Sequence, residues 1–253
     1  DPVFSIDAGF YITSQVLTIS NSIPGAYTRY TTDGSIPDIN STLYIAPINV
    51  DSTMVIRARS YHINDSLLPS NIISNSYFHN DPTSPTLPII SITTNPENLW
   101  DPIKGIYIKG PNVDSTGMCN GPCQCQGVPF FNANFWKRTE IPVHIEYYDK
   151  QRTLGFEQDV GLKIFGNWSR SMPQKSFKII ARENYGLSRI NYKLFTDKEI
   201  YSFKQFVLRN AGNDFNTAHF RDAIIHKLAI ENTSIDAQAY QPCVVYLNGE
   251  YWG

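Results

Sequence analysis

Three basic side chains lie close together along the chain and could contact an anion. Arg170 and Lys175 lie within eight positions of Lys178, which alternates with apolar neighbours and is therefore placed on the opposite face of a predicted strand. Phosphoryl transfer requires cations of this kind against the phosphate oxygens. The loop at 166–170 could lie over phosphates, although it holds a single glycine. The alternative for Lys178 is a solvated strand lysine.

Arg221 is a fourth candidate, at the start of a predicted helix that runs from Asn216 or Thr217 to about residue 231. One side of this helix is an apolar stripe that would pack against the sheet, and Arg221 falls within it. The stripe consists of Phe220, Ile224, Ile225 and Leu228. An unpaired buried guanidinium is costly, so Arg221 should either form a salt bridge, with Asp214 as the candidate partner, or contact a ligand. Asp214 and Asp222 could bind metal, but such residues more often cap helices or pair with arginine.

The cysteines indicate disulfides rather than a metal site. Cys119, Cys123 and Cys125 share one loop, and Cys243 lies in a predicted strand. This pattern favours one or two disulfides in an exported protein. A four-cysteine metal site is the alternative, but C-x3-C-x-C lacks the C-x2-C spacing of common zinc sites, so we predict no metal. The five histidines lie in no H-E-x-x-H or serine-elbow context.

The elements that must position these residues are mainly β-strands. Residues 1–79 contain short runs of β-branched and aromatic residues between turn signals, which predicts a β-sandwich. Residues 80–88 hold three prolines and are predicted to be a linker. Strand-like alternation and one helix predict a mixed sheet plus one main helix over 89–253. The predicted fold class is therefore mainly β with α+β.

Composition excludes two classes of partner and favours export. The net charge is −2, which gives no electrostatic reason to expect nucleic acid or an anionic membrane. No apolar run approaches the ~18 residues of a membrane span. Only 17% of residues are charged, against a typical ~25%, which favours a secreted or cell-surface protein. The last residues predict a hairpin at Asn248-Gly249 with a very short return strand, so we expect a fragment of a longer protein.

Two segments resemble known families. Residues 24–37, with the YTTDGS-P core, and the later IRARxY strand at 56–61 resemble the β-sandwich module appended to bacterial chitobiases and hexosaminidases. That resemblance implies a carbohydrate-associated or cell-surface context. Residues 87–253 resemble the front part of the CotH family of secreted and spore-coat atypical protein kinases. The matching pieces are 87–94, 105–108, 161–166, 169–178, 207–214, 220–222 and 246–253.

The CotH resemblance implies a protein kinase and assigns roles to the basic residues. Residues 89–253 would form an incomplete atypical kinase-like N-terminal lobe, with the acidic catalytic residues expected after the final hairpin. Lys178, Lys175, Arg170 and Arg221 would then contact nucleotide. The full-length protein would use ATP with Mg²⁺ or Mn²⁺ to phosphorylate extracellular or surface proteins, whereas the fragment would hold no cofactor and be inactive.

A non-catalytic function is the alternative. The protein could be a cell-surface, adhesion or carbohydrate-associated structural protein that uses the kinase-like fold as a scaffold. This hypothesis depends on the accessory module, the polar low-charge composition and the 15 tyrosines. Its partner would be a cell-surface component, including carbohydrate.

Overall fold

Short β-branched and aromatic runs, ended by proline and glycine turns, form the strands of the N-terminal part of the chain. The computed structural model describes residues 1–64, 67–81, 86–113 and 129–253. Up to residue 81 the strands are β1 (Val3–Phe4), β2 (Gly9–Tyr11), β3 (Gln15–Leu17), β4 (Ile19–Ser20), β5 (Ala26–Thr31), β6 (Thr42–Leu43), β7 (Ile48–Val50), β8 (Met54–His62) and β9 (Ile73–His79).

The remaining elements include longer strands and two α-helices. They are β10 (Ile89–Thr93), α1 (Pro96–Trp100), β11 (Ile141–Tyr148), β12 (Leu154–Phe165), β13 (Ser176–Ile180), β14 (Gln205–Leu208), α2 (Arg221–Asn232), β15 (Val244–Leu247) and β16 (Glu250–Tyr251). Three short 3-10 turns occur at Asn134–Trp136, Trp168–Ser171 and Gly212–Asp214. The predicted fold class, mainly β with α+β, is confirmed.

Two compact units divide the chain. The first comprises Asp1–Pro96, Val143–Glu157 and Cys243–Gly253, and the second comprises Glu97–Pro142 and Gln158–Pro242. The predicted modules, 1–79 and 89–253 with a linker at 80–88, are defined by sequence and stay a prediction. In the part of the chain that the structure describes, no helix is both long and apolar enough to cross a membrane.

The first unit contains the β-sandwich. A five-stranded sheet has the order β2-β9-β8-β5-β6, and the two-stranded pairs β1-β4 and β3-β7 accompany it. Their side chains share one buried cluster, formed by Leu17, Ile19, Val50, Ile56, Ala58 and Tyr77. In the same unit β10 pairs with β11 and with β15. A second cluster joins β9 to these strands through Phe78, Ile89, Tyr148, Val244 and Tyr246.

The second unit contains the strands that carry the candidate basic residues. β13 lies between β12 and β14, antiparallel to both. One face of β13 is fully apolar, since Phe177 and Ile179 are buried and lie opposite Ile164 and Leu162 of β12. The strand predicted here is confirmed as β13, and its other face carries Ser176 and Ile180, which are buried, and Lys178, which is half-buried.

The predicted helix exists but begins later than expected. It was predicted to start at Asn216 or Thr217, whereas α2 begins at Arg221. Asp214 accepts hydrogen bonds from the Thr217 hydroxyl and from the main-chain N–H of Arg221, and His219 has a φ of +66°. The chain at 215–219 is therefore a turn closed by Asp214 rather than α-helix.

The prediction that the apolar stripe of α2 is packed is wrong. Ile224, Ile225 and Leu228 are 46%, 65% and 53% exposed. Ala223 is the buried residue of this helix. The spacing of apolar residues predicted the helix correctly, but periodicity does not specify which surface, if any, covers it.

Candidate functional site

Lys178 lies directly beside a second lysine. In the register of the sheet its cross-strand partners are Lys163 of β12 and Val207 of β14. Both lysines are half-buried, on the face opposite the apolar core. Among the described residues neither ammonium group has an acidic or hydrogen-bonding partner. Like charges directly opposite each other destabilise a sheet. A bound anion would relieve this repulsion, so the two lysines form a cationic surface suited to an anion.

Lys175 has a structural role, because its ammonium group binds main-chain carbonyl oxygens of the protein itself. Its side chain is buried, and Nζ donates hydrogen bonds to the carbonyl oxygens of Arg170 at 2.7 Å and Met172 at 2.8 Å. The ammonium also lies 4.2 Å from the ring centroid of Phe135. Burial, with a smaller contribution from Lys109, lowers the pKa of Lys175 to about 8. The ammonium group of Lys175 is therefore engaged by the loop carbonyl oxygens and the aromatic rings that surround it.

Arg170 holds the loop at 166–170 in place. Its Nε donates to the carbonyl oxygen of Gly166 at 2.6 Å, and Nη1 donates to that of Phe135 at 2.9 Å. Gly166 has a φ of +106°, and a Cβ there would lie 2.3 Å from Oγ of Ser169. The position therefore requires glycine. Arg170 and Lys175 thus fix the backbone beside β13, and direct nucleotide contact by either stays a prediction.

Arg221 belongs to a surface groove at the start of α2. The groove has a volume of about 310 Å³ and is lined by Arg209, Ala211, Asn213, Asp214, Arg221, Asp222 and Ile225. Nε of Arg221 lies 3.0 Å from Oδ1 of Asp214, which confirms the predicted salt bridge. Arg209 forms a second ion pair, with Asp222. Each arginine of the groove therefore has a carboxylate partner.

Asp214 organises this groove. The hydroxyl of Thr217 is the main cause that lowers the pKa of its carboxyl, and the N–H groups of Arg221 and Ala218 add to the effect. Asp214 therefore stays ionised as the acceptor that starts α2. Among the described residues no group of three or more His, Cys, Asp or Glu side chains converges as a metal site.

Asn210 was missed by the sequence analysis. It is buried, and its Oδ1 accepts hydrogen bonds from Oγ of Ser176 at 2.8 Å and from the N–H of Gly212 at 3.0 Å. Its Nδ2 donates to the carbonyl oxygen of Gln174. These bonds join the start of β13 to the turn after β14, where Ala211 has a φ of +66°. The N-A-G-N sequence signals a turn, but only the fold shows which strand it contacts.

The structure brings some of the four predicted nucleotide-binding residues together. Arg170 and Lys175 meet through a hydrogen bond, and Lys178, three positions after Lys175, is the half-buried residue of β13. Arg221 is engaged in the groove with Asp214. Lys163, which the sequence analysis did not select, is the residue beside Lys178. Lys163 lies between Leu162 and Ile164, just as Lys178 lies between Phe177 and Ile179, and this pattern could have identified it.

The disulfide prediction lies mostly outside the described residues. Cys119, Cys123 and Cys125 belong to the segment 114–128, which the structure does not describe. Cys243 forms no disulfide within the described part of the chain. Burial raises the pKa of its thiol to about 11, so Cys243 is protonated and unreactive at neutral pH as it stands.

Two family models match the chain. The model described as CotH kinase protein matches residues 162–253, and the chitobiase/beta-hexosaminidase C-terminal domain matches residues 6–67. Both resemblances predicted from the sequence are confirmed, in the predicted order. The CotH match includes the Lys163–Lys178 pair and the groove at α2. No match to the chain was found among the curated proteins or among the solved structures.

Proposed function

We propose that residues 162–253 act as the nucleotide-binding part of a CotH-like atypical protein kinase. The observation that supports this most is the pair Lys163 and Lys178, two half-buried ammonium groups opposite each other without an acidic partner among the described residues. Phosphate oxygens are the ligands that such a pair fits, because a kinase must neutralise the charge of the triphosphate. Mg²⁺ or Mn²⁺ would accompany ATP as its counter-ion.

The remaining predicted residues have supporting roles in this proposal. Arg170 and Lys175 hold the loop at 166–170 against the end of β13 through hydrogen bonds to main-chain carbonyls, so they would set the backbone beside the phosphates. Arg221 is bound to Asp214 and would shape the groove. The acceptor would be an extracellular or surface protein of a bacterium, as the CotH resemblance implies, and the protein would be secreted or held at the cell surface.

Nucleotide binding by the 253-residue chain tests the proposal, which replaces the expectation that the fragment holds no cofactor because the lysine pair lies within the chain. MgATP is titrated by calorimetry into the wild type, Lys178→Met and Lys163→Met. Loss of one charge-assisted hydrogen bond corresponds to ~1.5–3 kcal/mol, so each variant should bind about tenfold more weakly or worse. The matched control is Lys227→Met, since Lys227 is an exposed lysine of α2 that faces Glu231 and lies outside the pair.

Two readouts distinguish lost binding from other effects. Each single substitution removes the repulsion between neighbouring lysines, so its melting temperature without ligand should equal or exceed that of the wild type. Sodium tripolyphosphate should bind more weakly than MgATP if the base is recognised. Unchanged MgATP affinity in both variants would remove the lysine pair from the site and leave the kinase proposal without its supporting observation.

The non-catalytic cell-surface function is the second candidate. It receives support from the match at residues 6–67 and from the tyrosines and arginines that β5 and β8 carry on one face of that module. The two candidates differ in what the protein would bind with specificity: MgATP at the lysine pair, or a surface component at the sandwich.

A further inference from the structure

Two tyrosines and two arginines form a continuous patch on the outer face of the five-stranded sheet. On neighbouring strands β5 and β8, Tyr27 lies opposite Tyr61, and Arg29 lies opposite Arg59. Alternate residues of a strand share a face, so all four side chains lie on one side. The other side carries Ile56 and Ala58 into the core. We call these four residues the Tyr–Arg patch.

Tyr27 and Tyr61 form the aromatic half of the patch, and a hydrogen bond holds Tyr61 in place. The rings of Tyr27 and Tyr61 are stacked, with centroids 5.8 Å apart and an interplanar angle of 25°. The Tyr61 hydroxyl donates a hydrogen bond to the carbonyl oxygen of Pro37 at 3.0 Å. Both side chains are half-buried rather than covered. A rigid aromatic surface with polar groups at its edge binds ligands at a low cost in conformational entropy.

The cationic half of the patch has no carboxylate partner. Nη1 of Arg29 donates to the carbonyl oxygen of Ser41 at 2.8 Å, and Nε of Arg59 donates to that of Ser70 at 3.0 Å. Nε of Arg29 is buried without a hydrogen-bond partner. Among the described residues Nη2 of Arg29 and both Nη groups of Arg59 also have none. A buried donor left unsatisfied in this way calls for an explanation.

Asp38 lies near Arg29 and attracts it weakly, without forming an ion pair. The N–H of Asn40 is the main cause that lowers the pKa of Asp38, with smaller contributions from Ser41 and, last, from Arg29. Asp38 forms no ion pair with Arg29; its Oδ1 instead accepts hydrogen bonds from Asn40 and Ser41. Two like charges opposite each other in a sheet are unfavourable. The two Nη groups of Arg59 form a planar donor fork that matches the geometry of a carboxylate, and Nη2 of Arg29 is a further donor.

We propose that the Tyr–Arg patch binds an acidic polysaccharide, with sugar faces on Tyr27 and Tyr61 and uronate carboxylates on Arg29 and Arg59. The net charge of −2 favours a saccharide over a nucleic acid, whose phosphate backbone attracts basic proteins. This inference does not depend on the kinase proposal. It gives the cell-surface alternative a specific site and ligand class.

Binding of the 253-residue chain to polygalacturonate oligosaccharides tests the inference. Arg59→Ala and Tyr27→Ala should each weaken binding about tenfold or more, because each removes a charge-assisted bond or a stacking surface. The matched controls are Arg182→Ala and Tyr201→Ala in the second unit, since Arg182 is half-exposed and paired with Glu140 and Tyr201 is 54% exposed. Both controls should bind like the wild type. Melting temperatures establish that each variant is folded, and Arg59→Lys should restore part of the affinity lost in Arg59→Ala.

Three further ligands make the outcome decisive. Neutral chitohexaose, dextran sulfate and single-stranded oligodeoxythymidine should each bind more weakly than polygalacturonate. Absence of polygalacturonate binding, equal binding by folded patch variants, or tighter binding to dextran sulfate or oligodeoxythymidine would overturn the proposal. MgATP affinity should be unchanged in Arg59→Ala, so failure of this inference and failure of the kinase proposal are separate results.

Discussion

Replacing Glu146 by glutamine should change how the stability of the protein depends on pH. Glu146 is 1% exposed, in β11 opposite Ser91 of β10. Its Oε1 accepts hydrogen bonds from the N–H of Ser76 at 3.1 Å and from the Tyr148 hydroxyl at 2.9 Å. Its Oε2 accepts one from the Ser76 hydroxyl, which also meets Oγ of Ser91 at 2.7 Å. Glutamine has the same shape and can keep these contacts if its Nε2 donates to Ser76.

Burial of Glu146 determines how the stability of the protein changes with pH. Desolvation raises the pKa of Glu146 from the 4.5 of an ordinary glutamate, although His144 and the hydrogen bonds of Ser76 and Tyr148 oppose the change. The folded protein therefore binds this proton more tightly than the unfolded chain. The stability that protonated Glu146 contributes is complete below about pH 4.5, and it is lost as the pH rises through the raised pKa of the folded protein. Within that window the free energy of unfolding falls by about 1.4 kcal/mol per pH unit.

Chemical denaturation at a series of pH values, from 4 to 9, measures this term. Glu146→Gln lacks the titrating group, so its stability relative to the wild type should increase with pH and level off once Glu146 is ionised in both states. Glu231→Gln is the matched control, because it removes the carboxylate of a glutamate of α2 whose side chain is 55% exposed. Parallel wild-type and Glu146→Gln curves above pH 4.5 would refute the reasoning from burial.

Three substitutions in the second unit test the parts that surround the candidate site. Gly166→Ala should destabilise the protein by about 1–3 kcal/mol, because it combines positive φ with a contact against Ser169, as chemical denaturation would show. Asn210→Ala removes a buried amide with bonds to two segments, and its cost should be about 1–3 kcal/mol by the same measurement; a cost near zero would contradict the network. Asp214→Ala should speed hydrogen exchange of the Arg221 amide, and unchanged exchange would contradict its role in starting α2.

Much of the sheet could be predicted from the sequence. Apolar residues at alternate positions in 141–147 and 176–181 predicted β11 and β13 correctly, although most residues on the other side of these strands, such as Glu146, Ser176 and Ile180, are buried as well. The type I′ signal at Asn248-Gly249 predicted the β15–β16 hairpin, where both residues have positive φ. These features are local, so a short stretch of sequence contains the cause of each.

The candidate site was predicted less completely, because contacts between residues far apart in the sequence determine its geometry. Lys175 belongs to the same basic cluster as Lys178 in sequence, yet its ammonium is buried among carbonyl oxygens and rings. Lys163 lies fifteen positions before Lys178, and only the pairing of β12 with β13 places them together. The start of α2 was wrong because the Asp214 carboxylate competes for the N–H groups that a longer helix would use.

A double-substitution cycle on the lysine pair tests the central claim most directly. MgATP affinity is measured for the wild type, Lys163→Met, Lys178→Met and the double variant. If both ammonium groups contact one phosphate group, the double variant should lose less affinity than the sum of the two single losses, with a coupling of about 0.5 kcal/mol or more. A double variant that binds MgATP as tightly as the wild type would contradict the account.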